Sequence, residues 1–303
     1  MKPFVDKLVT QLSSVIFDKD DEILMALTCI FSEGHLLIED IPGVGKTTLV
    51  QALAKLLSFN FSRIQFTNDL LPSDIIGNMI FDQDLKQFKF FEGPLFSHLV
   101  LADELNRANP RTQSALLQAM EEFEVSQDRK TYPLPKPFVL IATQNPKNQI
   151  GTFPLPESQL DRFLMSMELN YAKKESELKI FQGQDVRGLI KNLMPIIDHK
   201  TVIEIQKEAQ KIYLSPSIAE YIFLILDHSR KNSQYSPLST RAGLSLSKSA
   251  KTLAYLSDRD FVVPEDIKKL APYVLGHRLG LTEGVKVGNK MVTDILNQIK
   301  IPV

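Results

Sequence analysis

The sequence contains one cysteine, no excess of either charge and no long apolar run. A lone cysteine, Cys29, cannot form an internal disulfide, so we expect a reducing compartment and a cytoplasmic protein. The 35 basic and 36 acidic side chains leave a formal net charge of -1, which gives no global reason to expect nucleic acid or an anionic membrane as a partner. No window reaches the roughly 18 apolar residues of a membrane span, and the amino-terminal residues do not resemble a signal peptide.

The first half of the chain alternates short apolar runs with amphipathic segments. The apolar runs at 35–39, 99–102 and 138–142 are typical of buried parallel strands. Helical patterns follow at 45–57 and 111–122. Strands that alternate with helices predict an α/β sheet wound with right-handed crossovers.

Two stretches interrupt this alternation, and the second half differs in character. Residues 77–91 and 125–133 are predicted β-hairpins, which we expect to project as working loops. Beyond about residue 171 only helical patterns remain, including one from 241 that Ser239 can cap. We therefore predict a sheet domain at 1–170 and a helical domain at 171–303.

The strongest motif is a glycine-rich stretch that follows a predicted strand and opens a predicted helix. It consists of Pro42, Gly43, Val44, Gly45, Lys46, Thr47 and Thr48. Glycines allow successive N–H groups to turn inward and a helix N-terminus adds positive potential, so the stretch is predicted to cradle phosphates. Lys46 would neutralise phosphate oxygens and Thr47 would offer its hydroxyl to Mg²⁺. The strict pattern has glycine where this chain has Asp40.

Polar residues also end two later strands. Asp103 and Glu104 follow the run at 99–102 and would lie beside the phosphate loop, since ligands bind at the carboxyl edge of such sheets. Asp103 would hold Mg²⁺ through its water shell, and Glu104 would polarise an attacking water. Asn145 ends the third strand and could bond that water or the γ-phosphate. Arg162 is suited to a transition-state phosphate, although a surface ion pair with Asp161 is the simpler alternative.

The order of these elements resembles the AAA+ superfamily, and the stretches around them resemble its MoxR group. The stretches that carry the resemblance are 66–74, 102–108, 112–122, 142–146, 154–163, 239–242, 263–267 and 275–279. The resemblance implies a P-loop parallel sheet sandwiched by helices, with β-hairpin inserts and a carboxy-terminal all-α lid domain. It also implies that Asn145 is the sensor-1 residue and Arg162 an arginine finger that reaches the neighbouring subunit. Arg241 would be the sensor-2 residue, which the lid carries back onto the phosphates of its own subunit.

The resemblance further implies a function. Members of this group form rings, commonly hexamers, that hydrolyse ATP with Mg²⁺ at subunit interfaces and remodel or mature other proteins. They often work beside a protein with a von Willebrand factor A domain. Here residues 16–19 replace the Val-Gly-Gln of relatives near the adenine, which affects the expected base pocket. Two alternatives stay open: a chelatase-type motor subunit and a ring scaffold that binds ATP without hydrolysing it. A DNA helicase loader has little support, because no strongly basic tail is present.

Overall fold

The computed structural model describes residues 1–84, 86–128, 130–144, 152–182, 185–281 and 283–302. The strands are β1 (Leu36–Glu39), β2 (Phe61–Gln65), β3 (Gly77–Asp82), β4 (Gln87–Glu92), β5 (Leu99–Asp103), β6 (Glu124–Gln127), β7 (Lys130–Pro133), β8 (Val139–Gln144) and β9 (Met165–Met167). The helices are α1 (Pro3–Ser13), α2 (Asp20–Phe31), α3 (Lys46–Leu56), α4 (Pro72–Ile76), α5 (Pro110–Glu122), α6 (Glu157–Leu160), α7 (Lys174–Phe181), α8 (Val186–Asn192), α9 (His199–Ala209), α10 (Pro216–Lys231), α11 (Thr240–Leu256), α12 (Pro264–Leu279) and α13 (Val285–Gln298).

A five-stranded parallel sheet with the order β2-β5-β8-β1-β9 forms the centre of the first half. Leu36, the first residue of β1, pairs with Ile141 of β8 on one side and with Met165 of β9 on the other. Strands β1, β5 and β8 are buried along their whole length, as their apolar runs predict. The three strands predicted from the sequence are confirmed.

The outer strands β2 and β9 were not predicted. In β2 only Ile64 is buried, and the alternating polar residues of this edge strand hide it from a search for apolar runs. Strand β9 is three residues long, so its apolar signal is too short to separate from a loop. Both strands form because neighbouring strands offer them a hydrogen-bonding edge, which is a tertiary effect.

Side chains of the central strands alternate between two hydrophobic cores. Leu36 and Ile38 of β1 face a core that contains α1, α2, α3 and the carboxy-terminal helices, whereas Leu37 faces a second core formed with α5. This alternation follows from the period of two in a strand. The sheet is therefore sandwiched by helices, as predicted.

The two predicted hairpins are present as antiparallel pairs. Strands β3 and β4 form the first, and β6 and β7 form the second. The rings of Phe90 on β4 and Tyr132 on β7 stack with centroids 4.1 Å apart. The two inserts are therefore packed on one another.

From α7 onward the described residues contain helices and one isolated bridge, between Tyr213 and Phe261. The side chain of Ser239 caps α11 by accepting from the N–H of Ala242, as predicted. Helices α1 and α2 share the core of these helices, and the N–H of Lys2 donates to Leu256 O at 2.9 Å. The domain boundary at 170/171 stays a prediction. None of the helices in the described ranges is long and apolar enough to cross a membrane.

One buried arginine attaches the helical part to the sheet. The Arg278 side chain on α12 is 5% exposed and its Nε donates to Asp161 Oδ1 at 2.6 Å. Its Nη2 also donates to Asp161 O at 3.1 Å and Phe163 O at 2.9 Å. Since Asp161 and Phe163 lie just before β9, this guanidinium holds α12 against the start of an edge strand.

We expect Arg278→Ala to lower the free energy of unfolding by about 3–5 kcal/mol, because it leaves a half-buried carboxylate and several carbonyls without their donor. Arg278→Lys should not restore stability, since an ammonium cannot donate along the same fork. Urea titration measures both. Lys211→Ala, which removes only the exposed pair with Glu208, should cost less than about 1 kcal/mol. Equal effects of the two alanine substitutions would contradict the assignment.

Candidate functional site

The loop between β1 and α3 has the backbone of a phosphate cradle. Gly43 and Gly45 have φ angles of +89° and +93°, in the left-handed region that favours glycine. Gly45 also precedes the first residue of α3, so the helix N-terminus points into the loop. The N–H groups of Gly43, Val44 and Gly45 have no acceptor among the described residues. These orphaned donors fit an anion such as a phosphate group.

Lys46 lies within this loop and is held by the loop itself. Its Nζ donates to Asp40 O at 2.7 Å and to Ile41 O at 3.1 Å. Burial is the largest influence on Lys46 and lowers its pKa, while the carboxylates of Asp40, Asp103 and Glu104 oppose that shift. Because its partners are neutral carbonyls, the ammonium can transfer to a phosphate without breaking an ion pair.

A cavity of about 370 Å³ opens at this loop, at the carboxyl edge of the sheet. It is lined by Pro42, Gly43, Gly45, Lys46, Thr47, Thr48, Arg63, Gln65, Asp103 and Glu104. The structure therefore brings the predicted phosphate-loop and strand-end residues together, except for Val44, whose side chain packs against the main core.

Asp103 is the most constrained acid in the cavity. Its Oδ2 accepts from Arg63 Nη2 at 2.6 Å and Nε at 3.2 Å. Its Oδ1 accepts from Thr143 Oγ1 at 2.6 Å. Thr143 Oγ1 in turn accepts from the Glu104 N–H at 2.9 Å. Thr143 thus fixes the spacing between the two acids at the end of β5.

Glu104 adopts a backbone conformation that is uncommon for a residue with a side chain. Its φ and ψ are 56° and 46°, in the left-handed region. Residues held there cluster at functional sites, where surrounding bonds enforce the conformation. The Glu104 Oε2 lies 3.0 Å from Arg107 Nε, in a short 3-10 helix (Leu105–Arg107). The ion pair with Arg107 therefore orients the Glu104 carboxylate beside the cavity.

Arg63 and Thr143 did not emerge from the sequence. Arg63 belongs to β2, which was not predicted, so nothing placed it beside Asp103. Within the stretch 142–146 the sequence indicates a polar role for Asn145 and none for Thr143. Its adjacency to Asp103 follows from the pairing of β8 with β5, which brings the ends of both strands to one edge. Asn145 itself lies outside the described residues.

A second charged cluster lies at the opposite, amino edge of the sheet. Glu121 at the end of α5 accepts from Arg162 Nη2 at 3.0 Å and from Arg241 Nη2 at 2.6 Å. Arg162 Nη1 also donates to Leu117 O at 2.5 Å. We call these three side chains, Glu121, Arg162 and Arg241, the arginine cluster. It lines a cavity of about 290 Å³ together with Glu33, Lys248 and other residues of this edge.

The arginine cluster differs from the sequence-based expectations in two respects. The structure does not bring Arg241 to the phosphate loop of its own chain, because the lid helix α11 begins at the other edge of the sheet. Arg162 does not pair with Asp161, which is instead the partner of Arg278. Glu121 was not singled out, since one acid within a helix carries no signal of its own.

The segment that departs from relatives near the predicted base pocket packs beside the phosphate loop. Ile16 Cδ1 would lie 3.9 Å from a Cβ placed on Gly45. Asp18 has φ of +60°, and its carboxylate accepts from the Lys173 N–H at 2.9 Å. The segment therefore joins the loop to the residues that lead into α7.

The parallel sheet, the phosphate loop and the strand-end acids define a P-loop nucleoside triphosphatase of the AAA+ class. Comparison with protein-family models agrees: residues 35–165 match the ATPase family associated with various cellular activities (AAA), and residues 232–299 match an AAA lid domain.

Relatives narrow the class to a family. The chain is 35% identical to Chaperone MoxR1 of Mycobacterium tuberculosis, over 92% of this chain and 76% of that protein. It is 41% identical to the uncharacterized protein YeaC of Bacillus subtilis, over 100% of this chain and 96% of that one. Protein MoxR of Methylorubrum extorquens is 27% identical over 89% of this chain and 86% of its own length. The chain belongs to the MoxR family of AAA+ ATPases.

A solved structure has the same architecture. The crystal structure of a candidate ATPase from Cytophaga hutchinsonii matches with a TM-score of 0.87 and 37% identity, over 99% of this chain and 95% of that chain. An MCM homologue from Methanopyrus kandleri, 16% identical with a TM-score of 0.61, covers 89% of this chain and 58% of that chain and shares the fold alone.

We expect Thr143→Val to lower the free energy of unfolding by about 1–3 kcal/mol, because it removes the donor to Asp103 and the acceptor of the Glu104 N–H while keeping the side-chain shape. Thr143→Ser retains the hydroxyl and should stay close to wild type. Urea titration of the nucleotide-free protein compares the two. A valine variant as stable as the serine variant would show that the hydroxyl does not bind these acids.

Proposed function

We propose that this chain hydrolyses ATP with Mg²⁺ at the interface between neighbouring copies of itself, within a ring that remodels other proteins. One observation carries this proposal. The phosphate loop lies at the carboxyl edge of the sheet, whereas Arg162 and Arg241 lie together at the amino edge. The four residues of β1 alone separate the edges by roughly 13 Å. A complete site therefore requires the carboxyl edge of one copy and the amino edge of the next.

The carboxyl edge supplies the groups that hold the nucleotide. Lys46 and the N–H groups of Gly43 to Gly45 bind phosphate oxygens, and Pro42, Val44 and Thr48 complete the loop. Thr47 and Asp103 hold Mg²⁺, which when bound neutralises charge on the phosphates. Glu104 orients and polarises the attacking water, and Asn145 is proposed as its second partner.

The amino edge of the neighbouring copy supplies cations to the transition state. Arg162 and Arg241 carry two guanidinium groups to one point, where Glu121 now accepts from both. Guanidinium groups suit the charge that develops on a phosphoryl group during transfer. This arrangement supports a role in trans for Arg241 as well as for Arg162, in place of the role in cis that the family resemblance implied.

Head-to-tail contacts form a ring when the rotation between copies closes, and we propose such a ring of six copies. The insert hairpins are suited to contact a client. Ile80, Phe81, Phe88 and Phe91 of the first hairpin are each about half exposed or more, and such apolar surface is typical of protein-binding sites. The relative from Mycobacterium tuberculosis is named a chaperone. We propose a protein client, with a von Willebrand factor A domain protein as partner, rather than nucleic acid. The cytoplasmic location stays a prediction.

Mixing two inactive variants tests the shared site. Lys46→Ala removes the phosphate contact, while Arg162→Ala removes the finger, lowers turnover by roughly 10³–10⁵ and leaves nucleotide binding intact. Each variant alone should be idle. In an equal mixture about one interface in four joins an intact loop to an intact arginine, so phosphate release should return.

A mixture of Lys46→Ala with Arg241→Ala tests whether Arg241 acts in its own subunit or in the neighbouring one. If Arg241 acts in trans, Lys46→Ala and Arg241→Ala complement each other. A mixture that stays idle while the Arg162 mixture recovers would assign Arg241 to its own subunit. Failure of both mixtures would contradict a site shared between copies.

Glu104→Gln should bind MgATP with unchanged affinity and release no phosphate, because the amide cannot accept the proton of water. Binding is measured by calorimetry and turnover by steady-state phosphate release at high protein concentration. Glu122→Gln changes an exposed acid one position beyond the arginine cluster and serves as the control. Turnover of Glu104→Gln at the wild-type rate would disprove its role, and a wild-type protein that binds ATP without turnover would favour the scaffold alternative.

A further inference from the structure

Asp40, the residue that departs from the strict phosphate-loop pattern, is buried and fully engaged with backbone. It is 6% exposed, and its Oδ1 accepts from the N–H of Ile41 at 2.8 Å. Its Oδ2 accepts from the N–H groups of Leu169 and Asn170 at 2.6 Å and 2.7 Å. Bonds from N–H groups to a carboxylate are short and strong. The carboxylate therefore ties the first residue of the loop to a segment 129 positions away.

That distant segment is where the chain leaves the sheet for the lid. Leu169 and Asn170 lie between the end of β9 and the start of α7, and Asn170 has φ of +55°. Chain segments at such junctions absorb the rotations of domain movements. A carboxylate bound to both N–H groups consequently holds the junction in one conformation relative to the phosphate loop.

The preceding residue makes a parallel connection. Glu39 is 7% exposed; its Oε2 accepts from Gln144 Nε2 at 2.6 Å and its Oε1 from the Val285 N–H at 3.3 Å. Val285 is the first residue of α13, whose positive end favours a carboxylate. Gly284 makes the approach possible, since a Cβ there would lie 2.7 Å from Glu39 Oε1. Two consecutive acids at the end of β1 thus bind two separate parts of the helical half.

The other end of this connection is the lysine of the loop. Lys46 Nζ donates to the carbonyl of Asp40 at 2.7 Å. The ammonium therefore binds the backbone of the same residue whose carboxylate binds the junction. A triphosphate that draws Lys46 Nζ away would remove this donor from the Asp40 carbonyl. Occupancy of the loop would then alter the bonds of Asp40.

We propose that Asp40 is a positioning residue that transmits nucleotide occupancy of the phosphate loop to the lid junction at Leu169 and Asn170. The proposal rests on the proposed function, since it requires the loop to bind a nucleotide. A glycine at position 40 would keep the loop and lose the connection. The aspartate in place of glycine therefore has a role in the connection to the lid junction, which nucleotide binding alone does not require.

Hydrogen exchange at the junction tests the connection with MgADP as the probe. In wild type, MgADP should slow exchange of the Leu169 and Asn170 amides by about tenfold or more, as expected for a charged hydrogen bond that becomes better held. Asp40→Gly, which restores the strict loop pattern, and Asp40→Ala should bind MgADP by calorimetry but show no such slowing. Asp40→Asn should recover most of the response, because its amide oxygen can still accept from both N–H groups.

Asp198→Gly is the matched control. Asp198 accepts from the Thr201 N–H at 2.8 Å at the start of α9, away from the loop, and its loss should leave the response of the junction unchanged. A wild-type response in whichever of the glycine and alanine variants folds, as judged by its thermal midpoint, overturns the connection and leaves the proposed function standing. Absence of MgADP binding in wild type overturns both.

Discussion

Parallel pairing of β1 between β8 and β9 is the constraint on which the site depends. Because all five strands run the same way, the carboxyl ends of β1, β5 and β8 meet at one edge, where Lys46 and Asp103 line one cavity and Thr143 bonds Asp103. The same pairing starts β9 at the opposite edge and so carries Arg162 away from that ligand. The pairing of the strands therefore gathers the phosphate loop and the strand-end acids at one edge and leaves Arg162 at the other. The proposed hydrolysis therefore depends on the proposed assembly of neighbouring copies.

The charged groups of the two half-sites are held by partners within the chain. Lys46 donates to carbonyls, Asp103 accepts from Arg63, and Glu121 accepts from two arginines. Half-buried charges need such partners, since an unpaired charge away from water is costly. In the proposed shared site, bonds to a phosphate, a metal or the neighbouring copy would replace these partners. The proposed turnover therefore requires these bonds to be exchanged, and a subunit without its neighbour would keep them.

The sequence predicted the parts of this molecule whose signals are local. Strands β1, β5 and β8 are continuous apolar runs, and the phosphate loop depends on glycine and lysine at fixed spacing, so both follow from neighbouring residues. Strands β2 and β9 and the contact of Arg63 with Asp103 depend on pairing between distant segments, which no local pattern encodes. Arg241 shows the same limit. The family resemblance implied phosphate chemistry for it, yet the edge of the sheet that it reaches is decided by how α11 and α12 pack on the strands.

Asp40 departs from the glycine of the strict phosphate-loop pattern, and contacts with residues distant in the sequence explain why. A buried carboxylate is tolerated only when its hydrogen bonds are satisfied, and here the donors come from the loop and from the junction with the lid. Coupling between two sites is reciprocal, so a junction that responds to nucleotide must also alter the affinity of the loop when the lid is moved. A partner that binds the lid would then change nucleotide affinity without touching the phosphate loop. Glu39, the last residue of β1, and Asp40 after it would thus provide a physical route by which a partner on the helical half controls the proposed hydrolysis at the sheet.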